Sequence, residues 1–313
     1  MIRYVIRRLL STVVVMAVVA FVVFSLLYLT PGDPAAVIAG DIATDEDIRR
    51  IRASLGLDEP FLLRFGHWVW GLLHGDLGTS IFTNLPVAHL IGQRVGPTLS
   101  LTLCTLVVAI VVAVPLGVVA AARAGRWIDR AVMAFSVLGF SVPVFVIAYG
   151  LILTLSVQFD LLPVQGYRNL SDGVWEWLRH LILPSIALGT VYVALIARMT
   201  RASMLDVLAQ DYIRTAEAKG LAPDQVLIGH ALKNAAIPVV TTIGVGVALL
   251  ISGAIVTETV FALPGIGRLT VDAILRRDYP VIQGVILVFS AVYVLVNFAV
   301  DLSYVLFDPR VRY

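Results

Sequence analysis

Charge is scarce in this chain. Only 14% of its 313 residues are Asp, Glu, Lys or Arg, against about 25% in an ordinary soluble protein. A surface so poor in charge cannot face water. With 59% hydrophobic residues and a mean hydropathy of +0.93, the apolar excess needs lipid. Cysteine is scarcer still: Cys104 stands alone in an apolar run, which excludes an internal disulfide and a CxxC metal or redox motif. The net charge of +2 comes without a clustered basic face, so a nucleic-acid partner is excluded as well. These absences leave an integral membrane protein, with lipid as its surroundings.

A spanning helix needs about 20 mostly apolar residues. Six segments meet that length: Leu9–Leu29, Thr98–Ala121, Ala131–Ser156, Leu181–Ala197, Pro238–Thr257 and Val281–Val300. None of the six contains an Asp, Glu, Lys or Arg. The first follows Arg3, Arg7 and Arg8. Its apolar run exceeds the roughly 7–15 residues of a signal-peptide core, so it is expected to be a retained anchor. Six spans put both termini on one side. The segments on the terminal side carry 13 basic and 7 acidic residues, and those on the other side 10 and 14. Arg3, Arg7, Arg8, Arg123, Arg126 and Arg130 sit close to span ends, so the positive-inside rule places the termini in the cytoplasm. The expected layout is an anchor helix and long extracytoplasmic loop over 1–97, a transmembrane core over 98–306, and a cytoplasmic tail over 307–313.

The spans hold no ionisable group of the kind that ion-coupled carriers and pumps place within the membrane. Asp301, at the end of the last span, comes nearest. GxxxxGK[ST] is missing too, so the chain has no phosphate-binding loop of its own. Energy for active transport would have to arrive through a partner. No nucleophile with a base converges at one depth, and no catalytic residue is expected. His67, His74 and His89 lack metal-ligand spacing, so no metal site is expected either. Gly244, Ala248 and Ser252 form a small-residue stripe suited to close helix packing or to the pathway. Pro115, Pro143 and Pro184 interrupt their spans, and Pro143 is carried forward as a pathway candidate.

Residues 198–237 are patterned rather than loose. Leu205, Leu208, Ala209, Tyr212, Ile213 and Ala216 follow a helical apolar period, with Asp206, Gln210, Arg214 and Glu217 opposite. The period predicts one helix over 205–222 with Gly220 as its stop, then a second helix from Pro223 towards Pro238. The polar face is not rich in Lys and Arg, unlike that of membrane-surface helices. The element is better suited to docking a soluble partner.

Asp211-Tyr-Ile-Arg-Thr-Ala-Glu-Ala-Lys-Gly-Leu221, followed by His230-Ala-Leu-Lys-Asn234, resembles the cytoplasmic EAA loop of binding-protein-dependent ABC importer permeases. Ala216, Gly220 and Leu232 match the general pattern, whereas Arg214 stands at its Glu and Thr215 at its first Ala. The variant is similar to that of the dipeptide/oligopeptide/nickel branch. Pro31-Gly-Asp-Pro34, Gly75-Asp-Leu-Gly78, Glu258-Thr-Val-Phe261, Pro264-Gly-Ile-Gly-Arg268 and Arg277-Asp-Tyr-Pro280 resemble motifs of the same branch, as does the C-terminal run from Asn297 to Tyr313.

The resemblance implies an all-α type I ABC importer permease in the bacterial inner membrane, not an enzyme, carrying short peptides. Its implied partners are a second homologous permease in a heterodimer, two cytoplasmic ATPase subunits and an extracytoplasmic binding protein. ATP and Mg would belong to the ATPases, with no cofactor in this chain. Asp211, Tyr212, Arg214, Ala216 and Gly220 are the candidate ATPase contacts. Phe261, Pro264, Gly265, Gly267 and Arg268 are candidates for docking the binding protein. Asn297 and Asp301 share a face and are candidates for assembly or gate packing. Nickel or glutathione would fit the same architecture. The alternative from another class is an ATP-independent channel or facilitator.

Overall fold

A computed structural model describes residues 2–29, 33–40 and 43–307. Among them the chain is helical: α1 (Ile2–Leu29), α2 (Pro34–Ala39), α3 (Asp45–Ser54), α4 (Phe61–Leu73), α5 (Val87–Ala122), α6 (Trp127–Ser141), α7 (Val144–Leu151), α8 (Val174–Leu208), α9 (Asp211–Ala218), α10 (Lys233–Val260), α11 (Ile266–Arg276) and α12 (Tyr279–Phe307). A π-helical stretch, Ile152–Gln158, continues α7, and another, Gln225–Leu232, leads into α10. Among the described residues, five helices are long and apolar enough to cross a membrane, and six if the bent pair α6–α7 counts as one. The chain divides into two compact units, 1–96 with 268–295 and 97–267 with 296–312.

The second unit is built round α8. Two-thirds of this helix's most apolar window is buried, and α6, α7 and α10 all pack on it. In lipid there is no hydrophobic force between helices, so close packing needs small residues. Glycines meet α8 from three sides. A Cβ at Gly117 of α5 would lie 2.7 Å from the Ala197 carbonyl oxygen, one at Gly139 of α6 3.0 Å from the Ala194 Cβ, and one at Gly253 of α10 2.8 Å from Leu188. Gly244 is buried on α10; the side chains of Ala248 and Ser252, the rest of the expected stripe, lie outside the described residues.

Two expectations about the elements are corrected. The third span is not continuous: α6 and the α7 segment meet at 103°. Val142 takes an extended conformation (φ −91, ψ 122) because the ring of Pro143 disfavours helical backbone in the residue before it. The expected 205–222 helix breaks at Gln210, which is extended (φ −77, ψ 147) and starts α9; Leu205 and Leu208 belong to the end of α8. The helix expected from Pro223 towards Pro238 leads without interruption into the fifth span, with Pro238 inside α10.

In the first unit, the described residues between 33 and 96 are structured. Phe21 and Phe24 of α1 meet Phe61 and Phe65 of α4 edge-on, with ring centroids 5.3 to 5.9 Å apart, and the Arg64 guanidinium lies 4.8 Å from the Phe24 ring centroid. Asp33 accepts from the Ala35 amide at the start of α2 and pairs with Arg52 at 2.5 Å. Pro31 and Gly32 of the PGDP motif lie outside the described residues, as do residues 308–313 of the expected tail. The buried Asp278 carboxylate accepts from the Ser80 hydroxyl at 2.5 Å and the Ile81 amide at 3.3 Å.

At the start of α3, Thr44 and Asp47 form a capping box. The Thr44 hydroxyl, then its amide, hold the Asp47 carboxyl below its ordinary range, with a smaller pull from Arg50. A lowered value means that the cap's stabilisation is complete above the ordinary pKa of about 3.9 and is lost as pH falls through the folded value. Protection of the Asp47 and Ile48 amides, corrected for intrinsic exchange, is therefore expected to hold down to about pH 4 and to decline below it. Protection that persists unchanged to about pH 2 would contradict this account of the cap.

Candidate functional site

Helix α9 is short and two-faced. Ile213 (1% exposed) and Ala216 (8%) point inward and join Ala121 of α5, Met204 of α8, and Val226, Ala231 and Ala235 in one apolar cluster. Its other face carries Tyr212, 44% exposed, with the Asp211 and Arg214 side chains 98% and 72% exposed and 3.5 Å apart. An ion pair in that much water contributes little to stability. The charges are therefore available to something outside the chain. Gly220 ends the element with φ +79. Its amide donates to the Glu217 carbonyl at 2.9 Å and the Leu221 amide to that of Ala216, while Leu221 packs against the same apolar cluster. This is a left-handed glycine cap. Of the five candidate ATPase contacts, Asp211, Tyr212 and Arg214 share the outer face, Ala216 anchors the inner one and Gly220 sets its end.

At the far end of α10 the chain folds back over a buried carboxylate. Glu258 is 0% exposed, and a carboxylate so buried needs partners. The Thr98 hydroxyl donates to Glu258 Oε1 at 2.6 Å and accepts from the Ile266 amide, at the start of α11, at 2.8 Å. Gly265 and Gly267 lie directly against the same group. A Cβ on Gly265 would be 2.1 Å from the Glu258 carboxyl carbon, and one on Gly267 2.6 Å from Ile255 Cα. The candidate docking residues thus divide: Phe261, Gly265 and Gly267 are buried, Arg268 is half-buried and Pro264 is exposed. Asn297 is half-buried on α12, and the Asp301 side chain lies outside the described residues. Pro143 stands at the 103° break.

Residues 113–313 match the family described as binding-protein-dependent transport system inner membrane component, and residues 1–102 its N-terminal companion family. The chain belongs to this permease family. The permease is 53% identical over 99% of both chains to a probable peptide ABC transporter permease protein, y4tP, of Sinorhizobium fredii. It is 45% identical, over 99% of this chain and 98% of the other, to a putative peptide transport system permease protein of Brucella abortus. To the dipeptide transport system permease protein DppB of Escherichia coli K12 it is 39% identical, over 100% and 99%. An inward-facing structure of the MetNI methionine ABC transporter superposes with a TM-score of 0.59 over 70% of the permease and 96% of that chain; at 20% identity the likeness speaks for the fold alone. It is the all-α membrane fold of type I ABC importer permeases, and the permease is a transport subunit rather than an enzyme.

Three anchoring carboxylates were not among the expected site residues: Glu258, Asp278 and Asp129, the last paired with Arg201. A signal existed for Asp129, the lone acid among the three arginines of 122–130. Glu258 offered less, because nothing in its own segment points to Thr98, 160 residues away.

Two variants probe the Glu258 site. Gly267→Ala drives a methyl into the backbone of α10 and is expected to cost about 1–3 kcal/mol by overpacking. Thr98→Val removes both hydrogen bonds of the hydroxyl at a cost of about 1–3 kcal/mol. Each should lower the thermal midpoint in detergent; a Gly267→Ala protein as stable as the parent would refute the close approach.

Proposed function

We propose that this chain is one permease subunit of an ATP-driven peptide importer of the bacterial inner membrane. Its termini and α9 face the cytoplasm. It pairs as a heterodimer with a homologous permease, two ATPase subunits that hold ATP and Mg, and an extracytoplasmic binding protein that selects the peptide. The observation that carries this reading is α9: an eight-residue helix locked to the spans by Ile213 and Ala216 and presenting Asp211, Tyr212 and Arg214 outward. A helix held on one face by the spans and offered to a soluble partner on the other is a lever. Closure of the ATPase pair on ATP pushes α9, and α8, two residues before it, carries the displacement into the bundle.

The names of the relatives favour peptides over nickel or glutathione, and the basic residues near span ends favour the orientation. Pro143, Gly244, Ala248, Ser252, Asn297 and Asp301 remain the pathway and packing candidates. For the binding protein, Pro264 and Arg268 offer the surface, while Phe261, Gly265 and Gly267 hold that surface in shape.

The first test is isolation of the tagged chain from its native membrane in mild detergent, with bound subunits identified by mass spectrometry. ATPases, a second permease and a solute-binding protein should accompany it; uptake by this chain alone, without ATP, would instead make it a facilitator. Within the complex, Gly220→Trp forces a side chain into a left-handed conformation, which costs about 1–3 kcal/mol locally. It is expected to leave ATP hydrolysis in place and abolish uptake, whereas Gly220→Asn, which tolerates that conformation, stays near the parent. Parental uptake by Gly220→Trp at normal membrane levels would rule out coupling through this cap.

A further inference from the structure

The α9 end of the second unit contains an ion pair whose carboxylate, Asp129, is buried and whose guanidinium, Arg201, is a quarter exposed. Asp129, in the first turn of α6, is 3% exposed. Its Oδ2 accepts from Arg201 Nη2 at 2.8 Å and from the Gly125 amide at 2.8 Å, and its Oδ1 from Arg201 Nε. Gly125 is in the left-handed region (φ +76), so the turn joining α5 to α6 closes onto the same carboxylate. Arg201 projects from α8, two turns before its end at Leu208. A planar guanidinium gripping both carboxylate oxygens fixes orientation as well as distance, which a lysine cannot do.

A second contact lies about 15 Å further along α6. There Gly139 packs so closely that a Cβ would be 3.0 Å from the Ala194 Cβ and 3.3 Å from the Thr190 carbonyl oxygen of α8. Asp129 pairs with the later Arg201 and Gly139 with the earlier Thr190 and Ala194, so the two helices run antiparallel and are fastened at both ends of α6. The break at Val142 follows directly.

We propose that Asp129 and Arg201 are positioning residues for energy coupling. Their ion pair makes α6 and the α5–α6 turn move as one body with α8, so that a push on α9 reaches the break at Pro143 rather than being lost in a loose helix end. This inference rests on the reading of α9 as the ATPase seat. Neither residue touches ATP or peptide in this role. They act by keeping α6 in register with the helix that α9 drives.

The test uses the whole importer in liposomes and reads peptide taken up per ATP hydrolysed. Asp129→Asn and Arg201→Lys are each expected to lower that ratio about tenfold, within the usual span of coupling between sites. Because removing one partner of this pair also threatens folding, the deciding variant is the double Asp129→Leu, Arg201→Met, since apolar replacement of both partners is commonly tolerated. It should reach parental membrane levels and retain its ATPases, yet keep the low ratio; a parental ratio in this double variant overturns the proposal. An independent readout needs no transport. In a Cys104→Ser background, spin labels at the exposed positions 126 and 206 should show one narrow distance in the parent and a broad one in the double variant. Equal widths also overturn the strut. A parent complex without ATP-driven uptake overturns the α9 reading, and the spin-label distances then decide the strut by themselves.

Discussion

The second unit depends on how closely other helices can approach α8. Lipid tails are as apolar as leucine, so helices in a membrane gain little by hiding apolar side chains from one another, and van der Waals contact has to supply the cohesion. That contact is available only where backbones come near. Gly117, Gly139 and Gly253 present bare backbone to α8 from α5, α6 and α10, and α8 answers with Ala187, Gly189, Ala194 and Ala197, all buried. This bundle is assembled by leaving volume out.

Charges follow the complementary rule. The buried carboxylates described above sit at helix ends, each held by specific donors: Asp129 by Arg201 and the Gly125 amide, Glu258 by Thr98, Asp278 by Ser80 and Ile81. Between these ends the spans carry none. A buried carboxylate with imperfect partners is costly, so such groups are admitted only where turns and helix ends supply spare donors. The same groups therefore mark where the chain changes direction. They tie the α5–α6 turn, the α10–α11 return and the start of α12 in place.

The class, the spans and the docking element could be read from the sequence because they are written in composition and period. The left-handed glycine at Gly220 was legible for the same reason: a single backbone requirement has a single favoured residue. Helix ends that extend beyond the apolar run were not. α5 begins at Val87, but His89, Gln93 and Arg94 conceal it from any hydropathy argument. The break at Gln210 was hidden because the apolar period continues across it, and both sides feed the same cluster with Met204, Ile213 and Ala216. Period reports which side chains share a face, and two helices packed on one cluster satisfy it as well as one. Contacts between distant segments, such as Thr98 with Glu258, leave no trace in either segment alone.

The break between α6 and α7 also bears on how the protein is made. As it leaves the ribosome, Ala131–Ser156 is an apolar stretch long enough to enter the bilayer, bent at Val142 by the ring of Pro143 but with nothing yet to fix the angle of the bend. The surface on which its two halves settle at 103° belongs to α8, which is synthesised afterwards. The third segment therefore cannot take its final form when it first enters the membrane. Its last folding step waits for the fourth, and the order of synthesis becomes part of the assembly route.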